Sequence, residues 1–120
     1  LKKLTPAKIE NIKRIKMFAE KTIDAIYLQD YKKVGEWMHV SWEEKKLSNP
    51  QATTKELENI YTKALKNGAY GGKVCGSGGG GYMLFVVDPR KREKFIKTMS
   101  KYITPVDFSV DYNGCLTRIV

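Results

Sequence analysis

Gly71-Gly72-Lys73-Val74-Cys75-Gly76-Ser77-Gly78-Gly79-Gly80-Gly81-Tyr82-Met83-Leu84-Phe85-Val86-Val87 holds seven of the ten glycines of a 120-residue chain. A short strand-like segment, Lys73-Val74-Cys75, leads into a polar glycine run. Tyr82-Met83-Leu84-Phe85-Val86-Val87 leads out of it and reads as a buried strand of aromatic and β-branched residues. Four consecutive glycines, Gly78 to Gly81, carry a large backbone entropy cost. They suit a backbone that turns through positive φ while something approaches the main chain closely. Two phosphate-binding loops are excluded by context. A Walker loop ends in Gly-Lys-Ser/Thr and opens a helix, whereas Lys73 precedes this loop and a strand follows it. The dinucleotide fingerprint also needs a helix after its glycines. The remaining option is a strand-loop-strand hairpin whose tip N–H groups form an anion-binding nest, or a hairpin that binds nothing.

Outward from the hairpin the chain reads as helices. Thr5-Pro6 opens a helix over residues 6–28. Its apolar stripe, Ile9, Ile12, Ile15/Lys16, Ala19, Ile23 and Ile26, recurs at three- and four-residue steps and is expected to face the core. Asp30 caps a second helix over 31–47 with Val34, Met38 and Trp42 on one face, stopped by Asn49-Pro50. Thr53-x-x-Glu56 reads as a capping box for a third helix with Leu57, Ile60, Ala64 and Leu65 inward, ended by Asn67-Gly68. Asp88-Pro89 opens a fourth with Phe95, Ile96 and Met99 inward. Residues 105–110 and 115–119 read as two further strands turned at Asn113-Gly114. The order α-α-α-β-β-α-β-β predicts an antiparallel α+β layer fold in one domain.

The glycine stretch resembles the third motif of the GHMP kinases, the small-molecule kinases of galactose, homoserine, mevalonate and phosphomevalonate. That motif reads Gly-Ala-Lys-x-Thr/x-Gly-Ala-Gly-Gly-Gly-Gly; here Gly72 and Ser77 replace the two alanines, small for small. Trp37-Met38-His39-Val40-Ser41-Trp42-Glu43-Glu44-Lys45-Lys46-Leu47-Ser48-Asn49-Pro50 is similar to the helix and turn before that motif in the sugar-kinase members, nearest the D-glycero-D-manno-heptose 7-phosphate kinases and fucokinase-like enzymes. The resemblance spans Ile9 to the end. It implies a ferredoxin-like antiparallel sheet with helices packed on it, and phosphoryl transfer from ATP, with Mg2+, to a sugar or sugar-phosphate hydroxyl. It implies that Gly76, Ser77, Gly78, Gly79, Gly80 and Gly81 close on nucleotide and substrate phosphate, and that Trp42, Lys45 and Lys73 border the sugar pocket. Lys73 also reads simply as an anchor of the strand that enters the loop.

The family's nucleotide loop, of Pro-x-x-x-Gly-Leu-Gly-Ser-Ser type, is not found in these residues, and its catalytic Asp and Mg-binding acid belong with that loop. Residues 1–120 are therefore expected to be a C-terminal kinase domain separated from its N-terminal partner. Such a piece has no catalytic or metal-ligating residue of its own, binds no cofactor alone and is inactive. Leu1-Lys2-Lys3-Leu4 reads as mid-protein sequence.

Composition agrees with a cytoplasmic globule: 42% hydrophobic, 29% charged, and no apolar run of membrane-spanning length. Net charge is +9, from 22 Lys and Arg against 13 Asp and Glu, which permits nucleic-acid binding. The basic residues are dispersed and mostly Lys, which lacks the bidentate fork used in phosphate and base readout. A ferredoxin-like RNA-binding module using Tyr82 and Phe85 is thus the weaker alternative, because that strand is apolar throughout. A ligand-sensing domain using the glycine nest without catalysis is another. His39, the sole histidine, sits mid-helix and reads as packed or exposed. Cys75 and Cys115 lack metal-ligand spacing and read as reduced, buried thiols.

Overall fold

The computed structural model describes residues 4–76 and 81–109. Thr5 opens α1 (Pro6–Tyr27), its hydroxyl accepting from the Lys8 N–H at 3.2 Å. Asp30 opens α2 (Tyr31–Ser48) in the same way from the Lys33 N–H. A single 3-10 turn, Pro50–Ala52, leads to α3 (Lys55–Lys66). Then come β1 (Ala69–Cys75) and β2 (Tyr82–Val87), a second 3-10 turn at Pro89–Lys91, and α4 (Arg92–Met99). The fold is α+β. The two strands pair antiparallel, with Cys75 opposite Tyr82 and Gly72 opposite Phe85, across the glycine run.

Besides Leu65, expected inward on α3 but exposed, and Asp88, which caps the 3-10 turn ahead of α4, three of these assignments depart from the sequence expectations. The cap of α3 is Thr54, whose hydroxyl accepts from the Leu57 N–H at 3.2 Å. Thr53 instead donates to Glu58, so the Thr53–Glu56 box is displaced by one residue. Residues 105–109 are irregular rather than a strand. Val110, the expected strand at 115–119, the Asn113-Gly114 turn and Cys115 lie outside the described residues. The third departure concerns α1. Its contact face is Asn11, Ile15, Phe18, Thr22 and Ala25, and of the expected core stripe only Ile15 is part-buried, the rest being exposed. Polar anchoring sets this rotation. Asn11 donates to the Glu44 carbonyl (3.0 Å) and carboxylate (2.6 Å), Arg14 donates to Glu44 (2.8 Å), and Phe18 stacks on Trp37 at 5.7 Å.

The layers stack as α1 on α2 and α2 on β1. Gly35 of α2 and Gly71 of β1 lie backbone to backbone, so a Cβ at either would strike the other segment. Two clusters make the core. Trp42, Ala52, Tyr61 and Val74 form one, and Ala64, Ala69, Phe95 and Met99 the other, with Phe85 packed against both. The rings of His39, Tyr61, Phe85 and Phe95 follow one another at 5.6, 5.7 and 5.9 Å.

Tyr61, absent from the expected α3 stripe, is the polar hinge of this core. Its hydroxyl accepts from the Gly72 N–H at 3.2 Å and lies 3.3 Å from the Gly72 carbonyl and 2.7 Å from His39 Nδ1. One side chain thereby satisfies both backbone groups of Gly72, which a bare strand edge would leave open. Burial pushes the Tyr61 phenol up from near 10 to about 12. The neutral phenol's contribution is complete below about pH 10 and is lost as pH rises through 12, because the folded state then holds a proton that the unfolded chain has released. Tyr61→Phe is expected to cost about 1–3 kcal/mol at neutral pH through the orphaned Gly72 groups. It should also flatten the fall in stability at alkaline pH. Urea melts of the two proteins at pH 7 and above pH 10 measure both effects.

Candidate functional site

The glycine run leaves β1 at Gly76, whose φ is +92°, a conformation that side chains with a Cβ rarely adopt. Among the described residues, a Cβ placed there would meet nothing within 4 Å. The glycine is therefore demanded by the backbone turn rather than by a described neighbour. Gly81, where the chain returns, is exposed. Ser77, Gly78, Gly79 and Gly80 lie outside the described residues.

Gly76 borders a cleft of about 330 Å³ lined also by Trp42, Lys45, Asn49, Gln51, Ala52 and Val74. Helical spacing places Trp42 and Lys45 three residues apart on one face of α2, next to the 3-10 turn that Pro50 opens. Trp42, 3% exposed, is a wall of the hydrophobic core as well as of the cleft. Lys45 is exposed and makes no ion pair among the described residues. Its neighbour Lys46 is differently committed. It donates to Glu43 and Glu58 at 2.9 Å each and sits 5.8 Å from the Trp42 ring centre. Burial works to lower the Lys46 ammonium's pKa, but the two carboxylates outweigh it and hold the pKa above its usual value. One lysine of the adjacent pair thus braces the helix against α3, and the other is available at the cleft.

Of the sequence-predicted residues, the structure brings Trp42, Lys45 and Gly76 together. Lys73 is exposed on β1, one residue from Val74, and strand alternation turns it to the other face. It does not line the cleft. Asn49 and Gln51 are the polar lining residues that the sequence did not single out, with Ala52 and Val74 as apolar ones. Asn49-Pro50 carries a helix-stop signal, and that signal hid its second use as polar lining. No Asp, Glu or His is among the described lining residues, and no group of three or more metal-ligating side chains occurs among the described residues. The cleft can hold an anion or a polyol but brings no general base.

His39 is bound and stacked by Tyr61 and has a packing role. Cys75 is a half-buried free thiol at the end of β1. Phe85 is consumed by the core and unavailable for stacking on a base, while Tyr82 is exposed beside the loop. That removes the paired aromatic platform an RNA-binding sheet requires. No helix of the described residues is long and apolar enough to cross a membrane.

The geometry agrees with comparisons to known proteins. A family model described as GHMP kinases C terminal matches residues 22–104. A D-glycero-alpha-D-manno-heptose 7-phosphate kinase of Campylobacter jejuni subsp. jejuni serotype O:2 is 39% identical over 109 residues, covering 88% of this chain and 32% of that protein. A crystal structure from Campylobacter jejuni, assigned as a sugar kinase, superposes with a TM-score of 0.52 at 40% identity, covering 72% of this chain and 26% of that one. The chain spans about a third of the length of the curated relative it matches.

Proposed function

Because this chain belongs to the GHMP kinase C-terminal family, we propose that it is the substrate-side, cleft-closing domain of an ATP-dependent sugar-phosphate kinase. In this reading residues 1–120 are one domain, and the nucleotide loop, catalytic acid and Mg2+ ligands belong to a separate N-terminal kinase domain. The observation that carries the reading is the cleft that joins Trp42 and Lys45 of α2 to the first glycine of the run. ATP supplies the transferred phosphoryl group. The residues of this chain bind and position. The Lys45 ammonium faces the phosphate already on the sugar, Asn49 and Gln51 offer hydrogen-bonding groups to hydroxyls, and Trp42 gives the sugar ring an apolar wall. The five glycines among residues 76–81 carry no Cβ to bar a phosphate from the backbone. Phosphoryl transfer rests on positioning and charge stabilisation, so a cleft with no general base among its described lining residues still contributes to rate.

The identity to a heptose 7-phosphate kinase makes a heptose 7-phosphate the first substrate to try. In a coupled assay of the full-length protein, turnover should favour heptose 7-phosphate over galactose or fucose. Lys45→Met should raise KM for the phosphorylated sugar with a smaller effect on kcat, since a lost uniform contact to a spectator phosphate weakens binding. Equal KM values in the two proteins would remove Lys45 from the site. The 120-residue chain alone is expected to give no ATP-dependent turnover. Turnover that scales with its concentration would overturn the division of labour proposed here.

A further inference from the structure

The stripe of α1 that the core does not use is Ile9, Ile12, Lys16, Ala19, Ile23 and Ile26, and all six residues are exposed. The four isoleucines are 40, 52, 52 and 53% exposed. Their spacing alternates three and four residues without a break, the a/d pattern of a coiled-coil seam, which is narrower than the stripe with which a helix meets a globular core. α2 covers a different face of the same helix, the one carrying Asn11, Ile15, Phe18 and Ala25. A heptad seam beside that covered face suits one more helix.

The seam is also its own complement when reversed. Laid antiparallel on a copy of itself, Ile9 meets Ile26, Ile12 meets Ile23, and Lys16 meets Ala19. We propose that α1 is a self-association surface, through which two copies of this chain pair antiparallel about a twofold axis. Such an interface must be self-complementary, and this one is so in charge as well as in shape. Lys13 and Glu20 occupy equivalent flanking positions along the seam. In the antiparallel register Lys13 of one copy comes within a helical turn of Glu20 of the other, twice over. In a parallel pair Lys8 would face Lys13 instead, like against like. Among the described residues of its own chain Lys13 pairs only with Glu10, at 3.4 Å between side chains 69% and 60% exposed, a contact that holds it weakly. Ala19 leaves room for the Lys16 stem to cross the seam and carry its ammonium to the rim. A seam about 25 Å long is smaller than a standard stable interface, so the dimer should dissociate with a Kd on the order of micromolar.

The test is sedimentation velocity on the full-length protein across the micromolar range. A concentration-dependent dimer is expected. Ile12→Glu with Ile23→Glu should abolish it without moving the thermal melt, since both side chains are exposed. Lys13→Glu alone and Glu20→Lys alone should each weaken self-association by about tenfold or more, because each turns two attractive pairs into repulsive ones. Mixing these two variants should restore dimerisation. One variant then carries acidic groups at both flanking positions and the other basic groups at both, so opposite charges meet at each end of the seam. A monomer at every concentration overturns the proposal, and slow amide exchange along α1 in that monomer would assign the stripe to another part of the same polypeptide. A dimer indifferent to the isoleucine changes, or a mixture that fails to recover, overturns it equally.

Discussion

Gly71→Val is expected to leave this domain unfolded or nearly so at room temperature. Gly71 lies against the Gly35 backbone carbonyl, and a Cβ built on it would also come within 2.9 Å of His39 Cβ. The obstacle is main chain on a helix, which cannot rotate away as a side-chain tip can. Relief requires α2 to lift from β1. That separation would pull Trp42 from Val74 and Tyr61, and would part the His39–Tyr61 contact as well. Overpacking ordinarily costs about 1–3 kcal/mol, and more where neighbours cannot yield. Against a total stability of about 5–15 kcal/mol, losing the α2–β1 contact leaves little folded population. Gly76→Ala serves as the control, since among the described residues no neighbour lies within 4 Å of its Cβ, and only backbone strain of about 1 kcal/mol is expected there. Urea melts of the three proteins decide the matter. A Gly71→Val midpoint close to that of Gly76→Ala would mean that α2 does not bear on β1 as closely as described.

Neither Gly35 nor Gly71 declared this role in the sequence. A glycine within a helix and a glycine in a strand each read as local weakness, and only their meeting in space makes them a packing pair. The same limit explains α1. Periodicity showed that Ile9, Ile12, Ala19, Ile23 and Ile26 share one face, but periodicity cannot name the partner of a face. The buried face was chosen by Glu44, which binds Asn11 and Arg14 and turns the helix about its axis. Tyr61 was overlooked for a related reason. Its body is apolar, but its burial depends on Gly72 supplying a polar partner from a segment eleven residues away. What local chemistry determines was legible: the caps at Thr5 and Asp30, the stop at Asn49-Pro50, the turn at Gly68 with φ +117°, and the two strands that bracket the glycine run. Trp42 and Lys45 were expected beside a pocket through the family resemblance alone, and the structure sets both along one cleft. Asn49 and Gln51 were not, because only the tertiary return of β1 places Val74 and Gly76 opposite them.

On the proposed reading as a kinase domain, Gly76→Val in the full-length protein should cost at least about a hundredfold in kcat/KM while the domain stays folded. Two effects act at this residue, and they separate by size. Positive φ strains a β-branched side chain by roughly 1–2 kcal/mol, which a domain of this size survives. The second effect is on the cleft. Gly76 lines the cleft, and among the described residues nothing lies within 4 Å of where its Cβ would go. A valine would add bulk to the cleft rim that Gly76 shares with Lys45 and Trp42. Displacement of about 1 Å beside a phosphoryl-transfer site can lower the rate about a hundredfold, so the kinetic loss should far exceed the loss of stability. Gly76→Ala distinguishes the two causes. It carries the same positive-φ strain in milder form but adds little bulk, so it should keep most of the stability and lose less activity than Val. Equal kinetic losses in Ala and Val would assign the effect to the backbone turn alone. Wild-type kinetics in Gly76→Val, with a melt that confirms folding, would detach the cleft from catalysis and leave the glycine run as a hairpin.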